Sequence, residues 1–125
     1  MSRIKLVQGD TRPQIIVSMT DKDTGDPIDV SASGAYVAMK FRADGSTTLL
    51  NQITATKLVG QVAEDGSIDT SNPLPGAGGR VMFSWPAGAL DLDPGDYEGE
   101  VTVYFADGTV QTVWGLLKFV IRADF

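Results

Sequence analysis

Apolar and polar residues alternate with a period of two along most of the chain. Residues 35–43 set Val37, Met39 and Phe41 against Tyr36, Ala38, Lys40 and Arg42, the pattern of a strand with one buried and one wet face. Residues 97–106 repeat it, with Tyr97, Gly99, Val101, Val103 and Phe105 inward and Glu98, Glu100, Thr102 and Tyr104 outward. Further inner rows come from 14–20 (Ile15, Val17, Met19), 80–85 (Val81, Phe83, Trp85) and 116–122 (Leu117, Phe119, Ile121). Weaker strands are expected at 4–8 and around 48–59, where Ile53 and Val59 alternate imperfectly with threonines. A convincing helical period is absent, so almost no helix is expected.

Turn residues separate these runs. Ala43-Asp44-Gly45-Ser46 and Ala106-Asp107-Gly108-Thr109 carry the Asp-Gly pair of a type I′ hairpin, and the second should join 97–106 directly to 109–114. A longer connection, Asn72-Pro73-Leu74-Pro75-Gly76-Ala77-Gly78-Gly79, is the expected mobile loop. At 125 residues the whole of 1–125 is expected to be a single domain. With 42% hydrophobic residues it has the material for a core.

Composition narrows the chemistry. The chain has no histidine and no cysteine, which removes the imidazole base, the thiolate nucleophile, disulfides and nearly every zinc, copper or iron site. The expectation is a protein that is not an enzyme, holds no cofactor or metal, and has no catalytic residue. A net charge of −6 is the wrong sign for nucleic acid or anionic membranes, and no stretch approaches the ~20 apolar residues that cross a bilayer. Neither partner is expected, and synthesis in the cytoplasm is.

Three groups of residues invite a sharper reading. Asp21-Lys22-Asp23-Thr24-Gly25-Asp26 begins like a calcium loop, but its glycine precedes the needed oxygen ligand and no bidentate glutamate follows, so a polar turn is the better reading. Glu98 and Glu100 could be imagined as a glycosidase pair, yet nothing apolar nearby would separate their pKa values, and a solvated face is expected. Trp85, Trp114, Tyr36 and Tyr104 could form a sugar-stacking platform. Trp85 is in phase with Val81 and Phe83 and is assigned to the core, which leaves Trp114 as the exposed aromatic candidate.

Leu92-Asp93-Pro94-Gly95-Asp96-Tyr97 resembles the tyrosine corner of immunoglobulin-like sandwiches, with Asp93, Gly95 and Tyr97 as the motif. The resemblance implies a tyrosine hydroxyl bonded back to nearby backbone. Gly99 stands where antibody domains have their second cysteine. The expected fold is therefore all-β, an immunoglobulin-like antiparallel β-sandwich of about seven to nine strands without a disulfide.

A closer resemblance covers most of the chain. Gln8-Gly9-Asp10-Thr11-Arg12-Pro13, Asp26-Pro27-Ile28-Asp29-Val30, Met39-Lys40-Phe41-Arg42, Gly79-Arg80-Val81-Met82-Phe83-Ser84-Trp85, Pro94-Gly95-Asp96-Tyr97-Glu98-Gly99-Glu100 and Val103-Tyr104-Phe105-Ala106-Asp107-Gly108 follow in that order. This arrangement is similar to the N-terminal immunoglobulin-like domain of the phage baseplate upper protein family. It implies a virion structural protein, a tail or baseplate adaptor or decoration module that docks to other virion proteins and to copies of itself in a ring or other multimer. Family members often continue into a fibrous region and a receptor-binding domain, whereas this sequence ends at Phe125, and Trp114-Gly115 replaces an aromatic-proline element common before the last strand. The alternative is a carbohydrate-binding module on the host-facing side of the tail.

Two expectations concern surfaces. Immunoglobulin-like topology pairs 35–43 with 97–106, and one register satisfies both faces: Tyr36 opposite Tyr104, Ala38 opposite Thr102, Lys40 opposite Glu100 and Arg42 opposite Glu98, with Phe41 over Gly99 inside. A docking partner would then cover the Tyr36–Tyr104 end. Residues 1–62 hold 7 basic and 6 acidic side chains and residues 63–125 hold 3 and 10, so Arg3, Lys5 and Arg12 are expected to face an acidic neighbour if the halves occupy different surfaces.

Overall fold

In the computed structural model, which describes residues 3–21, 23–113 and 115–124, the alternating segments become strands. They are β1 (Ile4–Val7), β2 (Ile15–Ser18), β3 (Tyr36–Ala43), β4 (Asn51–Thr54), β5 (Thr56–Lys57), β6 (Gln61–Val62), β7 (Ile68–Asp69), β8 (Arg80–Phe83), β9 (Gly95–Tyr104), β10 (Val110–Thr112) and β11 (Leu117–Arg122). The larger sheet runs β1-β11-β9-β3-β4, with β10 also on β9; the smaller runs β2-β8-β5, and β6-β7 is a hairpin of its own. The fold is an all-β sandwich, with β9 and β3 at the centre of the larger sheet.

The strand number exceeds the expected range because the expected strand at 48–59 is divided into β4 and β5 and because the β6-β7 hairpin was not foreseen. The sandwich is also not wholly antiparallel. β1 lies parallel to β11, from Ile4 opposite Phe119 to Val7 opposite Arg122. Alternation assigns a face but carries no direction, and β1 and β11 are not joined by a tight turn that would force them antiparallel.

The register of β3 on β9 is the expected one, from Tyr36 opposite Tyr104 to Arg42 opposite Glu98. Inside, Phe41 centres an aromatic cluster, stacked on Tyr97 at 5.5 Å and edge-on to Trp85 at 5.1 Å and Phe119 at 5.4 Å. Trp85 is buried, and its indole N–H donates to the Pro13 carbonyl at 2.9 Å. The Tyr97 hydroxyl donates to the Asp93 carbonyl at 2.6 Å, the bond the tyrosine-corner motif implies. One packing detail differs from expectation: the space beside Gly99 is filled by Met39 and the edge of Phe119, not by the Phe41 ring.

A bulge divides the last strand. β10 pairs with β9 as Val110 with Tyr104 and Thr112 with Thr102, whereas β11 pairs as Leu117 with Gly99 and Phe119 with Tyr97. The Val113 N–H still bonds the Val101 carbonyl while Leu117 already lies opposite Gly99, so between these points the last strand carries two residues more than β9. The two extra residues are even in number, so the faces are kept while every partner beyond the bulge shifts by two.

The expected mobile loop is instead a junction. The Gly76 N–H donates to Leu58 O at 2.9 Å, the Gly76 carbonyl accepts from Val30 N at 3.0 Å, and the Gly79 carbonyl accepts from Met19 N at 2.8 Å. Gly76 and Gly79 are buried, and a Cβ on Gly78 would lie 2.2 Å from the Gly60 carbonyl. The glycines are there because chain segments cross without room for a side chain, not because the loop is loose.

The Asp-Gly turns also differ from type I′, which needs positive φ at both central residues. Gly45 (φ 78°) and Gly108 (φ 88°) are positive, while no residue other than glycine is, among the described residues. Around Gly108, the Gly108 N–H bonds Phe105 O and the Phe105 N–H bonds Thr109 O, the three-residue loop with a left-handed glycine.

Candidate functional site

The register sorts the outer face of the larger sheet into rows. At one end Val110, Tyr104 and Tyr36 lie abreast; the two rings stack with centroids 4.6 Å apart and planes 13° from parallel. Tyr36 is 45% exposed and Val110 58%. The next row is small and β-branched, Thr112, Thr102, Ala38 and Thr54, followed by Glu100, Lys40 and Gln52. Beyond these, Lys118, Glu98 and Arg42 form a row across three strands.

Glu98 corrects the expectation of a solvated face. It is buried to 4% exposure, with Arg42 Nε 2.9 Å from one carboxylate oxygen and Lys118 Nζ 2.9 Å from the other. Its strand is central, so long basic side chains on both sides converge on it. The hydrogen bond from Lys118 holds its carboxyl below the ordinary value, burial opposes this, and Arg42 adds to it. A general acid for glycoside cleavage needs the opposite shift. Lys118 also approaches Asp44 (3.6 Å), and Arg3 approaches Asp44 (3.5 Å) and Asp96 (3.7 Å), tying the start of the chain to the centre of the sheet.

These pairs decide the outcome for the basic candidates. Arg3 is engaged within its own chain. Lys5 and Arg12 are exposed. Trp114 lies outside the described residues. The two halves of the sequence do not occupy separate surfaces, because β3 and β4 of the first half lie in one sheet with β9 and β11 of the second, and Arg42 of the first half pairs with Glu98 of the second.

Two depressions, of about 220 and 360 Å3, meet at Arg42 and Glu100. Lys40, Thr47 and Leu49 line the first; Thr112, Val113 and Leu116 line the second. Together they make a charged floor with apolar walls, one from the β3–β4 loop and one from the bulge.

No family model, curated protein or solved structure matches the chain.

Elsewhere, acidic side chains serve local turns. Asp21 Oδ1 accepts the N–H groups of Asp23 (2.8 Å) and Thr24 (3.4 Å), consistent with a polar turn. Asp29, Asp65 and Asp107 have lowered pKa values through hydrogen bonds from the side chains and N–H groups of Ser31, Ser67 and Thr109, and Asp69 through those of Ser71. These groups and Glu98 contribute stability that is complete above the unfolded carboxyl values and lost as pH falls through the folded ones. On the alkaline side, Lys118 is raised by its bond to Glu98 and Tyr97 by burial, so their contributions hold below the unfolded values and fade as pH rises through the folded ones. With no histidine or cysteine to titrate between, the melting temperature is expected to be level from about pH 5.5 to 8.5 and to fall below about pH 4.5. Melts followed by circular dichroism check this; a slope of several degrees inside the level range would contradict it.

Proposed function

We propose that this protein is a virion structural module of a long-tailed phage, a tail or baseplate adaptor that docks onto another virion protein through the Val110–Tyr104–Tyr36 end of its outer sheet face, without a catalytic step. The observation that carries the docking is that row. Tyr36 and Val110 are exposed, the two rings stand on the central strands, and stacking already fixes them, so little side-chain freedom is left to lose on binding. The opposite end of the face is closed by Arg42 and Lys118, which both donate to Glu98. The sandwich fold and the ordered sequence motifs support the phage assignment.

The stacked geometry disfavours the carbohydrate alternative. Each tyrosine spends one ring face on the other, whereas a sugar platform presents open faces.

Mass spectrometry of purified particles tests the reading. The chain is expected at a fixed copy number, and Tyr36→Ser with Tyr104→Ser should remove it from particles while the soluble domain still melts cooperatively, since a surface aromatic pair contributes only about 1 kcal/mol. Particles that lack the wild-type chain, or incorporate the double variant at full copy number, would overturn it.

A further inference from the structure

Two features on opposite sides of the sandwich are absorbed by neither the core nor the outer-face row. The first is the β6-β7 hairpin. Val62 pairs with Ile68 across it, both are over 40% exposed, and no hairpin residue belongs to the core cluster. A two-stranded hairpin alone is at best marginally stable in water, and here its apolar pair stays more than two-fifths exposed, with Ile68 lying against Gly60. Residues 61–72 include Glu64, Asp65 and Asp69 and no basic side chain.

The second is the β1-β11 edge. Leu6, Val7 and Val120 line a mainly apolar depression of about 220 Å3, with Lys5 and Arg122 also lining it. β1 is the terminal strand of its sheet; Lys5 is exposed on it, whereas Arg3 is held by Asp44 and by Asp96, the residue opposite Val120. The depression thus offers apolar surface beside the Lys5 ammonium where the hairpin offers apolar surface beside carboxylates.

The connections place them apart. β4 passes into β5 through Ala55 alone, so the β4 and β5 edges share one side, from which the chain continues into the hairpin; β1 and β2 are the edges of the other side. The two patches therefore cannot meet within one copy, but they can meet between copies.

We propose that the chain associates head to tail with itself, the Val62–Ile68 face of the hairpin of one copy seating on the Val7–Val120 depression of the next, with Glu64 and its acidic neighbours towards Lys5. Because the joined surfaces differ, the contact is heterologous and builds a ring or an open row rather than a closed two-fold dimer. It uses neither tyrosine of the outer-face row, so it stands independently of the docking proposed above.

Sedimentation velocity of the full chain over a dilution series at low salt tests this. The wild type is expected to gain mass with concentration, and added salt should weaken the gain. Val62→Asp and, separately, Lys5→Glu should each weaken association about tenfold or more. Glu64→Lys should do the same, while an equimolar mixture of the Lys5→Glu and Glu64→Lys chains should regain association that neither has alone, because each reversed patch then finds its complement. Tyr36→Ser with Tyr104→Ser should leave association unchanged. Circular dichroism melts confirm folding, and Lys5→Ala replaces Lys5→Glu should the latter melt early. A wild type that stays monomeric at every concentration, association indifferent to both Val62→Asp and the Lys5 variant, or a two-fold dimer that does not grow would each overturn the proposal; the first would assign the hairpin to a different protein.

Discussion

Gly79→Ala is expected to destabilise the protein by about 3–5 kcal/mol, a large part of the stability of a domain this size. Two costs combine. Gly79 has φ 76°, a conformation that costs an L-residue with a Cβ about 1–2 kcal/mol. The added methyl would also lie 2.5 Å from the Met19 carbonyl oxygen. That oxygen cannot simply retreat, since it accepts the Ile28 N–H at 3.0 Å and the Met19 N–H is bonded back to Gly79. Gly108→Ala is the control, because Gly108 has φ 88° but open space where a Cβ would stand. Denaturant titration of both variants separates conformation from collision: Gly79→Ala should lose at least about 1–2 kcal/mol more than Gly108→Ala. Equal losses would mean that the junction yields at little cost.

Phe41→Ala should cost about 3–5 kcal/mol for a different reason. Phe41 is fully buried and is the ring on which Tyr97, Trp85 and Phe119 all pack, while Trp85 and Phe119 also touch each other at 5.6 Å. Truncation leaves three rings facing a void that β3 and β9, locked in register from Tyr36 to Ala43, cannot close by sliding. Phe41→Leu, which refills part of the space, should cost roughly half as much. The measurement is the denaturation midpoint with its slope; a Phe41→Ala variant within about 1 kcal/mol of wild type would contradict the central place given to this ring.

The parts of the fold legible in the sequence are those where alternation and charge agree. β3 and β9 each have a long inner row, and opposite charges at Arg42 and Glu98 mark the register on the outer side, so both strands and their alignment could be read together. The β6-β7 hairpin was missed because Val62 and Ile68 are too short a pattern to count as strands. A signal was present in Asp65-Gly66-Ser67, which has the form of the turns at 44–46 and 107–109; the Ser67 N–H bonds the Asp65 carboxylate as the Thr109 N–H bonds that of Asp107. Glu98 was misread for a subtler reason. Continuing the β10 register would place Leu116 opposite Glu98, and only the bulge brings Lys118 there instead. Alternation fixes which face a residue occupies but is blind to an even-numbered insertion. The glycines of 76–79 mislead in a similar way, since close crossing and looseness call for the same residue.

The parallel pairing of β1 with β11 has a mechanical consequence. The chain enters this ladder at Ile4 and leaves it at Arg122, at opposite ends of the four shared rungs. Tension between those two points slides one strand along the other, so the rungs are strained together and must give way nearly at once. An antiparallel hairpin pulled by its open ends parts one rung after another. A sandwich fastened this way resists stretching through its first and last strands far better than peeling at a free edge such as β4.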